Sequence, residues 1–126
     1  MKKTLFRVSA LLVFVVLLLT ASSCRLKRLS IDEAKSNLES AGYTVTVRDG
    51  SEYANSEDNN FVLMASELDQ YLYAKKGDDE IHLFYFFSIE QAESNYDFIS
   101  IRELTTGQNN ELIYCGTKQA IKDAKL

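Results

Sequence analysis

The chain has no proline, five glycines, one histidine and two cysteines in 126 residues. Each scarcity removes a class of answer. Without proline, repeats or a low-complexity tract, nothing marks a linker between domains. One histidine and two cysteines fall short of the four Cys and His ligands of a structural zinc cluster. The glycines stand singly, so no glycine-rich loop is available to cradle a phosphate. No G-x-S-x-G elbow occurs either. Basic residues are scarce beyond Arg28, which disfavours nucleic acid, because its phosphates require a basic face.

What is present is concentrated first at the N-terminus. Lys2, Lys3 and Arg7 precede an apolar run from Val8 to Leu19, broken only by Ser9, and Thr20-Ala21-Ser22-Ser23-Cys24 follows. A basic tip, an apolar centre and a small-residue end are the parts of an export signal, in order. The apolar run is short for a bilayer span, which needs about 20 residues. Ala21-Ser22-Ser23-Cys24 resembles the degenerate lipobox of bacterial lipoproteins, and the likeness covers residues 2–24 only. It implies that residues 1–23 are removed, and that Cys24 becomes the new N-terminus bearing a diacylglycerol thioether. The domain would then lie outside the cytoplasm, anchored to a membrane of the cell envelope. Retention of the segment as an uncleaved anchor and ordinary secretion are the alternatives.

All 18 acidic residues lie after Cys24. Loss of Lys2, Lys3 and Arg7 leaves 11 basic residues against those 18, a balance of −7. Arg25, Lys27 and Arg28 form a basic stem at 24–29, placed to meet anionic headgroups. The remaining residues, 30–126, are the length of one small domain. With Cys24 lipidated, Cys115 has no partner for an internal disulfide. It lies in the apolar run Leu112-Ile113-Tyr114-Cys115 and reads as a buried, inert thiol.

Ser30-Ile31-Asp32-Glu33 is a capping box. Ile31, Ala34, Leu38 and Ala41 follow at helical spacing, and Gly42 stops the helix. Tyr43 to Arg48 alternates as a strand with Tyr43, Val45 and Val47 inward. Residues 49–60 are polar and read as a mobile loop; their oxygen side chains lack the spacing of a calcium loop. Phe61–Leu68 fits a short helix better than a strand. Gln70–Lys76 and Glu80–Phe87 read as a hairpin closed by the three residues Gly77-Asp78-Asp79. Ser88 and Gln91 suggest a second capping box, before an inward stripe of Ile89, Ala92, Tyr96 and Ile99. Residues 105–110 read as a loop, Glu111–Cys115 as the last strand, and Thr117 as the cap of a final helix with Ala120, Ile121 and Ala124 inward.

These elements predict an α+β two-layer sandwich, with a mainly antiparallel sheet of about four short strands and helices on one face. The expected role is a non-enzymatic binding or envelope-associated module, with no cofactor and no metal. Its partners would be the membrane, through the lipid, and an envelope protein. The second strand of the hairpin is apolar on both faces, which suggests a central strand whose second face is covered by loops or a helix; the alternative is that Phe84 and Phe86 dock an accessory partner. Tyr71 and Tyr73, with Lys75, share one strand face and are the other candidate patch. A hydrolase built on paired carboxylates, such as Glu52 with Asp78 beside the 49–60 loop, is the weakest reading, since no motif brings two acids together.

Overall fold

Ser30 starts the first helix as its sequence requires. Its hydroxyl accepts from the Glu33 N–H, and the Glu33 carboxylate accepts from the Ser30 N–H, both at 3.2 Å. These bonds satisfy two amides that have no partner inside a helix. The computed structural model describes residues 28–57, 65–99 and 103–126. In it α1 (Ile31–Ser40) buries Ala34 and Leu38. Gly42 follows at φ +92°, a left-handed turn that favours glycine, and leads the chain into the sheet.

The sheet contains β1 (Thr44–Asp49), β2 (Leu68–Lys76), β3 (Asp79–Phe86), β4 (Thr105–Asn109) and β5 (Leu112–Gly116). Their spatial order is β1-β2-β3-β5-β4, and every neighbouring pair is antiparallel. Lys76 pairs with Asp79, so the β2–β3 turn has two residues, Gly77 and Asp78. Gly77 takes φ +59° and Asp78 keeps a negative φ, as in the two-residue hairpin turns whose twist matches the strands. The three-residue turn expected from Gly77-Asp78-Asp79 is thereby one residue too long.

Period-2 alternation divides the apolar residues between two faces. On the first face, Leu72, Ala74, Ile81, Leu83, Tyr85 and Leu112 meet Ala34 and Leu38 of α1. Ala120 and Ala124 of α4 (Lys118–Ala124) complete that layer. Thr117 caps α4, its hydroxyl accepting from the Ala120 N–H at 3.4 Å. On the second face, Tyr71, Phe84, Phe86, Ile113 and Cys115 pack with Tyr53, Ala92 and Ile99. Tyr53 comes from α2 (Gly50–Ala54), and Ala92 from α3 (Ile89–Asn95), which tightens into a 3₁₀ turn at Tyr96–Phe98. The protein is an α+β sandwich with an antiparallel sheet, as its pattern predicts. A fifth strand is present, and short helical segments also cover the second face.

Several local expectations are corrected. Residues 49–57 are not a loop throughout: Asp49 caps α2, accepting from the Glu52 N–H at 2.7 Å while the Glu52 carboxylate accepts from the Asp49 N–H at 3.0 Å. Residues 58–60 of that stretch lie outside the described residues, as do 61–64 of the expected Phe61–Leu68 helix. A 3₁₀ turn at Ala65–Glu67 precedes Leu68, which opens β2. Residues 105–109 are β4 rather than loop, paired along β5 from Thr105–Gly116 to Asn109–Leu112. Val47 and Ile89, expected inward, are each 40% exposed. Ser88 caps α3 by accepting from the Gln91 N–H, but the expected second capping box is incomplete, because Gln91 Oε1 is buried without a hydrogen-bond partner.

The stem is partly attached to the domain. Arg28 makes a 3.2 Å ion pair with Glu111, and its guanidinium lies 5.5 Å from the Tyr85 ring centroid. The Tyr85 hydroxyl donates to the Leu29 carbonyl at 3.0 Å. Arg28 and Leu29, the last two residues of the expected 24–29 stem, are therefore packed against the domain.

Candidate functional site

The densest cluster of hydrogen-bonding side chains on the sheet centres on His82. Register brings it there: Thr46, Tyr73, His82, Cys115 and Thr106 lie side by side across the five strands, on the second face. The Tyr71 hydroxyl and His82 Nδ1 are 2.8 Å apart. His82 Nε2 lies 3.5 Å from Glu80 Oε2, which also accepts from the Tyr73 hydroxyl at 3.5 Å. The Tyr73 and His82 ring centroids are 4.9 Å apart. Next to them, the Thr106 hydroxyl donates to the Ile99 carbonyl at 3.2 Å and lies 3.4 Å from Cys115 Sγ.

Exposure falls steadily through this group. The Glu80 side chain is 36% exposed, that of His82 13%, and Tyr71 is fully buried. A carboxylate at the surface, an imidazole behind it and a phenol beneath follow one another: the phenol and imidazole are hydrogen-bonded, and the carboxylate approaches the imidazole at 3.5 Å. The bond to the buried phenol holds the imidazole in one orientation. None of these residues lines either of the two surface hollows described next, so the group ends in packed core.

The first hollow, about 480 Å³, lies at one end of the sheet among Asp49, Ser51, Ser66, Leu68, Asp69 and Phe87. The second, about 380 Å³, lies between α1 and α4 and is lined by Asn37, Ser40, Ala41, Lys122, Asp123 and Lys125. Beside it the Tyr43 hydroxyl donates to Asp123 at 2.8 Å. That bond is the first cause holding the Asp123 carboxyl below its ordinary value. Burial, then the same bond, raises the Tyr43 phenol above the usual tyrosine range. Among the described residues no group of three or more His, Cys, Asp or Glu side chains could hold a metal ion.

The aromatic patch expected from the sequence is corrected here. Tyr71 and Phe84 are fully buried and Phe86 is 1% exposed. Tyr53 covers them, with ring centroids 4.5 Å from Tyr71 and 6.0 Å from Phe84. They form the core of the second layer, and only Tyr73 of the four remains half-exposed. The docking reading based on Phe84 and Phe86 loses its surface. Glu52 and Asp78 also stay apart. Asp49, which caps the helix holding Glu52, pairs with Gln70, while Asp78 lies beyond Lys76 at the other end of β2. Cys24 lies outside the described residues.

Sequence reasoning missed the neighbours of His82. A three-residue turn would place Tyr73 opposite Leu83; the two-residue turn places it opposite His82. The usable signal was the glycine itself, since a positive φ at the first of two turn residues fixes the register. Cys115 was likewise missed as the cross-strand neighbour of His82.

Compared with protein-family models, with curated proteins and with solved structures, the chain matches none. Among the described residues no helix is long and apolar enough to cross a membrane.

Proposed function

We propose that the chain is a membrane-tethered extracytoplasmic lipoprotein whose small acidic domain acts as a binding or envelope-associated module, without catalysis of its own. The observation that carries the reading is the run from Lys2 to Cys24, joined almost directly to a folded body. Only Arg25, Leu26 and Lys27 separate Cys24 from Arg28, which is already ion-paired to Glu111. A lipid on Cys24 would thus hold the domain close to the headgroups rather than on a long leash. Arg25 and Lys27 in the connection add attraction to an anionic surface, about 1 kcal/mol for each charge near it.

Intact mass and fractionation of the full chain expressed in a bacterial host test this. The native protein is expected in the membrane fraction, lacking residues 1–23 and carrying the mass of acyl chains. Cys24→Ala is expected to lose both the acyl mass and the processing. Recovery of the native chain at full length, with no added mass, would overturn the proposal.

A further inference from the structure

We propose that the domain stands end-on upon the bilayer that holds its tether, with the exposed Phe87 ring seated among the lipid headgroups and Ile89 beside it. The inference rests on the tether reading above and adds which end of the sheet meets the lipid. Phe87 is 63% exposed and Ile89 40%, although both follow the apolar core strand β3. Their position relative to the tether is fixed by the backbone. Arg28 binds the Glu111 side chain, and the Glu111 carbonyl accepts from the Phe86 N–H at 2.9 Å. Phe87 is the next residue, and its own N–H donates to the Glu67 carbonyl at 3.2 Å. The point where the tether joins the body and the exposed ring are therefore near neighbours.

Chain length supplies the remaining constraint. Four Cα–Cα steps separate Cys24 from Arg28, at most about 15 Å when fully extended. Acyl chains on Cys24 must lie within the bilayer, so Arg28 stays near its surface, and Phe87 with it. The Gly77-Asp78 turn lies at the other end of β2, about 25–30 Å away along a strand of nine residues. Phenylalanine is among the apolar side chains that interfacial elements bury at the boundary between headgroups and acyl chains. Carboxylates of Asp49 and Asp69 lie beside Phe87 and Glu90 is exposed close by, so the attraction at this end comes from the ring and not from charge. The occupant is a lipid surface rather than a protein, because the tether delivers that surface to this end.

The chain contains no tryptophan, so Phe87→Trp and Asp78→Trp each introduce a single fluorophore at opposite ends. Both variants of the full chain, isolated in acylated form, are reconstituted into phosphatidylcholine–phosphatidylglycerol vesicles with and without brominated lipid. The Phe87→Trp protein is expected to shift its emission to shorter wavelength on vesicles and to lose most of it to brominated lipid. The Asp78→Trp protein should show neither change. Acylated, vesicle-bound Phe87→Trp protein that ignores brominated lipid would overturn the orientation while leaving the tether intact. So would equal quenching of both variants, or a shift that depends on protein density and not on lipid, which would mean a second copy covers the ring. A protein that carries no acyl mass and does not float with vesicles defeats the tether itself, and the orientation falls with it.

Discussion

The Tyr114 ring lies across Gly107 on the adjoining edge strand, where a Cβ added to the glycine would fall 2.2 Å from the phenol oxygen. The two residues are direct cross-strand partners. The ring covers an edge position that has no side chain of its own, which keeps the polar β4 attached to β5. Gly116, at the other end of β5, is confined differently. A Cβ there would come within 2.8 Å of the Glu80 carbonyl oxygen and 2.9 Å of the Ile81 Cβ. A ring can swing aside, whereas a paired backbone cannot. Gly107→Ala is therefore expected to cost about 1 kcal/mol and Gly116→Ala about 2–3 kcal/mol, the range of overpacked sites. Urea midpoints would check the order, and Gly107→Ala should cost less in a Tyr114→Leu background.

Buried phenols make the fold sensitive to alkali, Tyr43 and Tyr85 among them. Burial raises Tyr85 and Tyr43 above the ordinary tyrosine range; hydrogen bonding to Asp123 adds to the shift of Tyr43, and Arg28 partly opposes that of Tyr85. A group whose folded pKa is raised contributes stability that is complete below its unfolded value and is lost as the pH climbs past it. Unfolded tyrosine titrates near pH ~10, and each such phenol then removes about 1.4 kcal/mol per further pH unit. Stability should fall steeply above about pH 10. Tyr43→Phe and Tyr85→Phe should each flatten that fall, as read from urea midpoints between about pH 8 and 11.

The acid side of the same contact has the opposite sign. The Tyr43 hydroxyl lowers the Asp123 carboxyl, so its contribution is present above the unfolded carboxylate value, near pH ~3.9, and is lost as the pH falls through the folded one. Tyr43→Phe should therefore also lessen the acid-side dependence, whereas Tyr85→Phe should leave it unchanged.

How far the fold was legible depended on what each element uses to stay folded. Helices α1 and α4 announce themselves because caps at Ser30 and Thr117 precede small apolar stripes, and both features are local. Strand β4 did not, since Thr105-Thr106-Gly107-Gln108-Asn109 has no apolar alternation; its cover comes from Tyr114 on another strand. Helix α2 was hidden because it is five residues long and contributes one large core side chain, Tyr53. Tyr71, Phe84 and Phe86 looked available for docking because nothing near them in sequence reveals that Tyr53 closes over them. The His82 cluster depends on hairpin register, so a single miscounted turn residue concealed it.

Cys115 should be silent to thiol reagents while the protein is folded. It is fully buried, and its sulfur lies 3.4 Å from the Thr106 hydroxyl. In a Cys24→Ala chain it is the sole cysteine, so labelling with an aromatic disulfide reads it alone. Modification should require opening of the second layer and accelerate in step with denaturant. Rapid stoichiometric reaction under native conditions would contradict the burial described for β5.

His82 should carry its proton on one nitrogen when neutral. Glu80 is a carboxylate that can only accept, and its oxygen lies 3.5 Å from Nε2. The proton is expected on Nε2, nearer that carboxylate, with Nδ1 accepting from the Tyr71 hydroxyl at 2.8 Å. Because Tyr71 is fully buried, losing that bond has a cost of about 1 kcal/mol. Two-bond proton–nitrogen correlation spectra of the single histidine distinguish the two tautomers directly. The Nε2–H form is expected in the native protein, and Tyr71→Phe should shift the Nδ1 resonance while lowering the urea midpoint. Glu80→Gln should weaken the preference, since a side-chain amide can donate to Nε2 as readily as it accepts. A native spectrum dominated by the Nδ1–H form would reverse the direction of the Tyr71 bond.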